Sequence, residues 1–219
     1  MKSGKQEIGS VSLALYKDLP QDKPIESGLK PDEETTLVRP PGASLAFPPG
    51  LKQLAQKKGM VLRTFNNERA MLNCLAAIVK KSDPDVFIGH KLENVTLDIL
   101  MHRMYDLKVS TWSYFGRINR KQFPNKFGRN SGRNNMFYLK EILQGRLICD
   151  IANNMGQSLT PKCQSWDLAE MYEIYCKKKY TPMEVNLANP AFGEDAGRLL
   201  AAFNENRMAV KMIGDVAFG

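Results

Sequence analysis

Asp83 and Asp85 precede a short apolar run, Val86 to Gly89, and His90, Glu93, Asp98 and His102 follow it. The stretch DPDVFIGHKLENVTLDIL reads as a buried strand, a turn and the start of a helix. A carboxylate at the first turn of such a helix is well placed to hold a hard divalent cation, which needs anionic oxygen ligands. This helix opens instead on Val95 and Thr96, and neither carries a negative charge. Asp98 comes two residues after Thr96, roughly 200° around a helix, so it is expected on another face, toward solvent. Glu93 falls in the turn, where it would act as a helix N-terminal charge. Asp150 ends a second apolar run, RLICDI, and its expected task is to accept hydrogen bonds from neighbouring backbone. Glu194 and Glu205 read as solvated helix residues, His90 as a turn histidine and His102 as a surface residue.

No other catalytic pattern stands out. There is no Ser/His/Asp or Cys/His arrangement, and no G-x-x-x-x-G-K-[ST] phosphate loop. Cys74, Cys149, Cys163 and Cys176 form no C-x-x-C pair, and His90 and His102 are the two histidines. A zinc site is therefore not expected. Reduced, mostly buried thiols are, as in a cytosolic or nuclear protein. MKSGKQEIGS lacks the apolar segment of a secretory signal, and no run of about 18 apolar residues could form a membrane span.

The chain has 219 residues, 43% of them hydrophobic, and a net charge of +8. Most of that charge is local. Arg117, Arg120, Lys121, Lys126, Arg129, Arg133, Lys140 and Arg146 lie in one span with a single acid, Glu141. Trp112, Tyr114, Phe115, Phe123 and Phe127 are interleaved with them or just precede them. Such a cluster suits the phosphates of a nucleic acid, with base stacking on the aromatic rings. A solvated loop that touches nothing has the same charge pattern, and Trp112 is expected to pin the loop to the core.

The elements around these residues follow from periodicity. Strands are expected at 8–17, 35–39, 59–65, 86–89 and 146–151, the last buried on both faces. Helices are expected at about 49–57, from Asn66 or Asn67 to Lys80, at 94–105, at 166–178 and at about 194–213. Leu97, Leu100, Met101 and Met104 should share one inward face, as should Leu199, Leu200, Phe203 and Val210. Seven of the twelve prolines lie between Pro20 and Pro49, which marks a loop region over 18–50. Residues 112–145 show no clear period and read as a long basic insertion. Alternating strands and helices predict one α/β domain over 1–219.

These residues resemble the 3′–5′ exonuclease domain of family B DNA polymerases. That family's second exonuclease motif reads approximately I-G-[YH]-N-x-x-x-F-D-L. Ile88, Gly89, His90, Asn94 and Leu97 fall on compatible positions, while the motif's Asn falls on Lys91, its Phe on Val95 and its Asp on Thr96. The alpha-type members are a closer likeness. FPPGLKQLAQKKGMV, NERAMLNCLAAIVKKSDPDVFIGH, STWSYFGRINR, GRLICDI and KCQSWDLAEM are similar to stretches of those proteins, in the same order. The resemblance implies a ribonuclease-H-like fold, a mixed sheet flanked by helices with a long basic insertion.

In the family, four carboxylates hold two divalent cations ~3.5–4 Å apart, which activate a water and stabilise the leaving oxygen. The resemblance places none of those acids here. The D-x-E strand would precede Met1, and IGSVSLALY contains no Asp or Glu. Thr96 stands for the second motif's acid, Ala209 for the last helix's Asp, and Glu205 for an aromatic. Lys91 would add repulsion toward a cation. The palm motifs D-x-x-S-L-Y-P-S and Y-G-D-T-D are absent.

The expectation is therefore a catalytically inactive exonuclease-like piece of a replicative, alpha-type polymerase, with structural and DNA-contacting roles. Arg117, Arg120, Lys121, Lys126, Arg129 and Arg133 would meet DNA. The piece itself would need no cofactor and the parent polymerase would use Mg²⁺. Expected partners are template and primer DNA, primase and accessory subunits, with no membrane. The isolated piece would be a monomer and the parent enzyme nuclear. The alternatives are an active metal-dependent 3′–5′ proofreading exonuclease and, more weakly, a docking domain for an acidic protein.

Overall fold

The structure is a computed structural model. It describes residues 7–20, 22–23, 25, 28–42, 46–124, 135–187 and 189–218. In chain order these form β1 (Ser10–Leu15), β2 (Glu33–Val38), α1 (Leu51–Lys57), β3 (Leu62–Thr64), α2 (Glu68–Ser82) and β4 (Val86–Gly89). A π-helical turn, Leu92–Leu97, leads into α3 (Asp98–Asp106), and a 3₁₀ turn spans Trp112–Phe115. Then come α4 (Asn135–Ile142), β5 (Leu147–Asp150), α5 (Asn154–Leu159), α6 (Leu168–Cys176), α7 (Ala191–Glu194) and α8 (Ala196–Phe218). This is a mixed α/β arrangement with small sheets and many helices. No helix among the described residues is long and apolar enough to cross a membrane.

The chain divides into two compact units, residues 1–71 with 162–219, and residues 72–161. In the first unit β2 is the central strand. It pairs antiparallel with β1, from Ser10 opposite Val38 to Leu15 opposite Glu33, and parallel with β3, from Thr36 opposite Leu62 to Val38 opposite Thr64. Alternation in SVSLAL and β-branched residues in EETTLV favour the extended backbone. The core gathers Val38, Leu51, Ala55, Met60, Leu199, Leu200 and Phe203. Each large apolar side chain buried this way stabilises by about 1.5–3 kcal/mol. The expected inward face of the last helix is confirmed at Leu199, Leu200 and Phe203, while Val210 is only half-buried. Asp195 caps α8, accepting from the amides of Gly197 at 2.7 Å and Arg198 at 3.1 Å.

In the second unit β4 and β5 pair in parallel, Val86 beside Leu147 through Gly89 beside Asp150. The strand expected at 86–89 has those bounds. The start of α2 belongs to the first unit, where Asn67 caps it by accepting from the Ala70 amide at 2.8 Å. Leu97, Leu100, Met101 and Met104 are all buried, as their spacing requires.

Four expectations are corrected here. The helix expected at 94–105 begins as a wider turn, because the Lys91 carbonyl accepts from both the Val95 and the Thr96 amides at 3.2 Å. The β5 strand is not buried on both faces: Leu147 is 69% exposed and Cys149 is exposed. Among the described residues β5 pairs with β4 alone, so little covers it. The thiols are correspondingly less buried than expected, with only Cys163 fully so. Finally, both described ends of 112–145 are packed. Trp112 is buried, as expected, Phe115 is buried as well, and Phe123 stacks on Trp112 with centroids 4.0 Å apart. At the other end Leu139, Ile142 and Leu143 carry α4 onto α3 and the wide turn. Their i, i+3, i+4 spacing is helical, but it is short and lies beside a run of Gly, Asn and Arg. Gly116 passes so close to the Ile142 carbonyl that a Cβ would collide with it. The short helix α5 has no counterpart in the expected elements.

Candidate functional site

The turn after β4 carries the positions at which acids would do chemistry. Gly89 ends the strand, with room for no side chain: a Cβ there would lie 2.9 Å from the Cβ of Leu92. Lys91 follows at φ 50°, in the left-handed region. Leu92, Glu93 and Leu97 point inward, while Lys91, Asn94, Val95 and Thr96 are exposed. Thr96 therefore presents a neutral hydroxyl at the surface of the wide turn.

The carboxylates near this turn in the same unit are already engaged. Asp150 is 3% exposed and accepts from the Glu93 amide at 3.1 Å and the Ala152 amide at 3.0 Å. Its expected backbone role is thus observed, and it has a specific result: it ties the end of β5 to the wide turn. Asp98 does not simply face solvent. It is half-buried and lies 3.3 Å from His102 Nδ1, one helical turn on. Glu93 is buried. Among the described residues no three His, Cys, Asp or Glu side chains gather where they could hold a metal ion. A two-cation centre needs several anionic oxygens, and the residues present do not fit one.

In the other unit, α8 carries Glu205 and Ala209. Glu205 was expected to be solvated and is not. It accepts from Tyr180 Oη at 2.7 Å and from the Met183 amide at 3.2 Å, which holds the segment after α6 against α8. Burial, then the hydrogen bond that the phenol donates to Glu205 and the charge of that carboxylate, push Tyr180 up to about 12. Ala209 is half-buried and offers no ligand. Glu194 is exposed, as expected.

The basic residues fall into two groups. Arg117 donates to Asp83 at 3.1 Å, to Asp85 at 2.6 Å and to the Gly145 carbonyl at 3.1 Å. Arg146, its side chain only 1% exposed, pairs with Asp83 at 2.8 Å and donates to the Phe115 carbonyl at 2.9 Å and to the Pro84 carbonyl. Arg117 above all, helped by Arg146, holds the Asp83 carboxyl below its ordinary value. Arg120 pairs with Glu141 and donates to Gln144 at 3.0 Å. Lys121 is exposed. Lys126, Arg129, Arg133 and Phe127 lie outside the described residues. Counting acids only between Arg117 and Arg146 missed Asp83 and Asp85, which lie well before that span. The DPD spelling ahead of β4 was the signal available.

Comparison with known proteins gives consistent relatives. The family described as DNA polymerase family B, exonuclease domain, matches residues 1–171. In Saccharomyces cerevisiae the DNA polymerase alpha catalytic subunit is 49% identical over 219 residues, which is 99% of this chain and 15% of the yeast protein. The DNA polymerase alpha catalytic subunit of Leishmania donovani is 38% identical over 152 residues, 68% of this chain and 11% of that protein. That of Mus musculus is 32% identical over 131 residues, 60% of this chain and 8% of its own length. The chain thus spans about a seventh or less of these relatives.

Proposed function

The chain belongs to the family B DNA polymerase exonuclease domains, and from that premise we propose that it is an exonuclease-like domain of an alpha-type polymerase that no longer cuts DNA. The observation that carries this is the exposed neutral Thr96 at the second motif's acid position. The nearby Asp150 and, in the other unit, Glu205 are supporting facts, since each accepts main-chain amides and is not free for a cation. On this reading the fold is ribonuclease-H-like, retained as a scaffold for replication in the nucleus within a longer chain. That chain would work with primase and accessory subunits, and its polymerase modules would hold the Mg²⁺.

DNA contact is assigned to the basic segment. Arg117 and Arg120 hold its ends through Asp83, Asp85 and Glu141. Lys121, with Lys126, Arg129 and Arg133, is left to meet phosphates. Coulombic contact of this kind carries no base readout and weakens with salt.

A labelled single-stranded oligonucleotide incubated with the chain and Mg²⁺ tests the reading. It is expected to stay intact, and Thr96→Asp alone is not expected to restore cleavage, because one acid does not rebuild a site of four. Degradation that EDTA abolishes, and that follows the chain through purification, would establish an active exonuclease instead.

A further inference from the structure

Outside the basic segment in the sequence, three consecutive lysines follow α6: Lys177, Lys178 and Lys179, all exposed. Lys211 on α8 joins them through a shared acid. Asp215 Oδ2 lies 3.0 Å from Lys211 Nζ and 3.5 Å from Lys178 Nζ, and it also accepts from Tyr172 Oη at 3.2 Å. The Asp215 side chain is 14% exposed, while those of Lys178 and Lys211 are 57% and 51% exposed. One anchored carboxylate therefore holds two ammonium groups in place, one from the segment after α6 and one from α8, and neutralises only one of them. Glu173, exposed on α6, is the other acid nearby in sequence. Lys177 and Lys179 form no ion pair among the described residues.

The backbone supplies a second observation. Lys177 is the residue that closes α6, and it sits at φ 56°, in the left-handed region. Glycine is the usual residue there because a Cβ makes that conformation unfavourable. Lysine at this position costs the backbone more than glycine would, so Lys177→Gly removes the charge without straining the fold.

We propose that Lys177, Lys178, Lys179 and Lys211 form a docking surface for the phosphate backbone of nucleic acid, separate from the basic segment of residues 112–145. Ammonium groups act as point charges on phosphate and make no bidentate base contact, so the surface is sequence-independent. Lys177 and Lys179 differ from Arg117 and Arg120, whose guanidinium groups each face a carboxylate, while Lys178 and Lys211 share a single one. This rests on the reading that the domain contacts DNA, and the test separates the two.

Anisotropy of a fluorescent single-stranded oligonucleotide, in EDTA and across a salt series, is compared for the unaltered chain, Lys177→Gly/Lys179→Gln and Lys121→Gln. The double variant is expected to bind on the order of ten-fold more weakly, with the log–log salt slope reduced by roughly 0.7 for each lysine removed. Its melting temperature is expected not to fall, because glycine suits the Lys177 backbone. Lys179→Gln alone, at an open position, serves as the second variant and should show about half the change in slope. Unchanged affinity and slope in both lysine variants, with the unaltered chain binding and Lys121→Gln weakened, would overturn this surface and leave DNA contact through the basic segment standing. Absence of binding by the unaltered chain would overturn both. Displacement of the oligonucleotide by charge-matched polyglutamate as readily as by unlabelled DNA would overturn it in favour of an acidic protein surface.

Discussion

Arg146 directs its guanidinium to Asp83 and to the Pro84 and Phe115 carbonyls, with 1% of its side chain exposed, whereas Lys177 and Lys179 stand in solvent beside α6. The chain carries an excess of basic residues in both places, but their physical roles differ. Around Arg146 the charge is structural. Arg117, Arg120 and Arg146 cross-link strand ends, turns and α4 by donating in several directions, which a planar guanidinium does better than an ammonium. Around Lys177 the charge is gathered on one anchored acid and left facing outward. Net charge alone treats the two regions as equivalent, and the location of the nearby carboxylates distinguishes them.

This contrast can be broken by experiment. The largest effect is expected from Arg146→Ala, which strands two carbonyls and takes one of its two arginine partners from Asp83. Urea denaturation should show a loss of about 3 kcal/mol, and a loss under about 0.5 kcal/mol would mean that Arg146 is not structural. Arg117→Ala should cost clearly less, and most at low salt, since its carboxylate partners Asp83 and Asp85 are mostly exposed. That cost should shrink as salt screens the pairs, and a salt-independent loss would point to packing instead.

Tyr180→Phe tests a neighbouring contact in the lysine-bearing unit by pH. The folded Tyr180 value of about 12 lies above its ordinary 10.0, so the contribution is complete below pH 10 and drains as pH rises toward 12. The unaltered chain should lose stability in that window, and Tyr180→Phe should lose less. Identical pH profiles would remove Tyr180 and Glu205 from the account of that segment. The smallest effect on folding is expected from Lys179→Ala, within about 0.5 kcal/mol in the same urea assay. A larger loss would make the lysine cluster structural and erase the contrast.

Much of the fold was legible because it is local. Val86–Gly89 announces itself as an apolar run between DPD and a glycine, and the Asn67 cap ahead of α2 needs only a side chain and an amide three residues away. Even the task of Asp150 as an acceptor for backbone amides followed from its place at a strand end. What was missed depends on distant partners. The helix α4 is stabilised by packing on α3 and the wide turn more than by its own short period. The engagement of Glu205 follows from Tyr180, some two dozen residues earlier. The wide turn itself depends on a shared carbonyl at Lys91, a geometry no residue pattern specifies.

By itself the sequence determined the family signature, the order of the strands and the longer helices, and the neutral side chain at Thr96, since each is a matter of residue type and short spacing. Tertiary structure decided which charges are available. Coulomb energy depends on distance and exposure rather than on position along the chain. Only folding brings Asp83 and Asp85 to Arg117, Asp150 to the amide of Glu93, and Asp215 to Lys178 and Lys211.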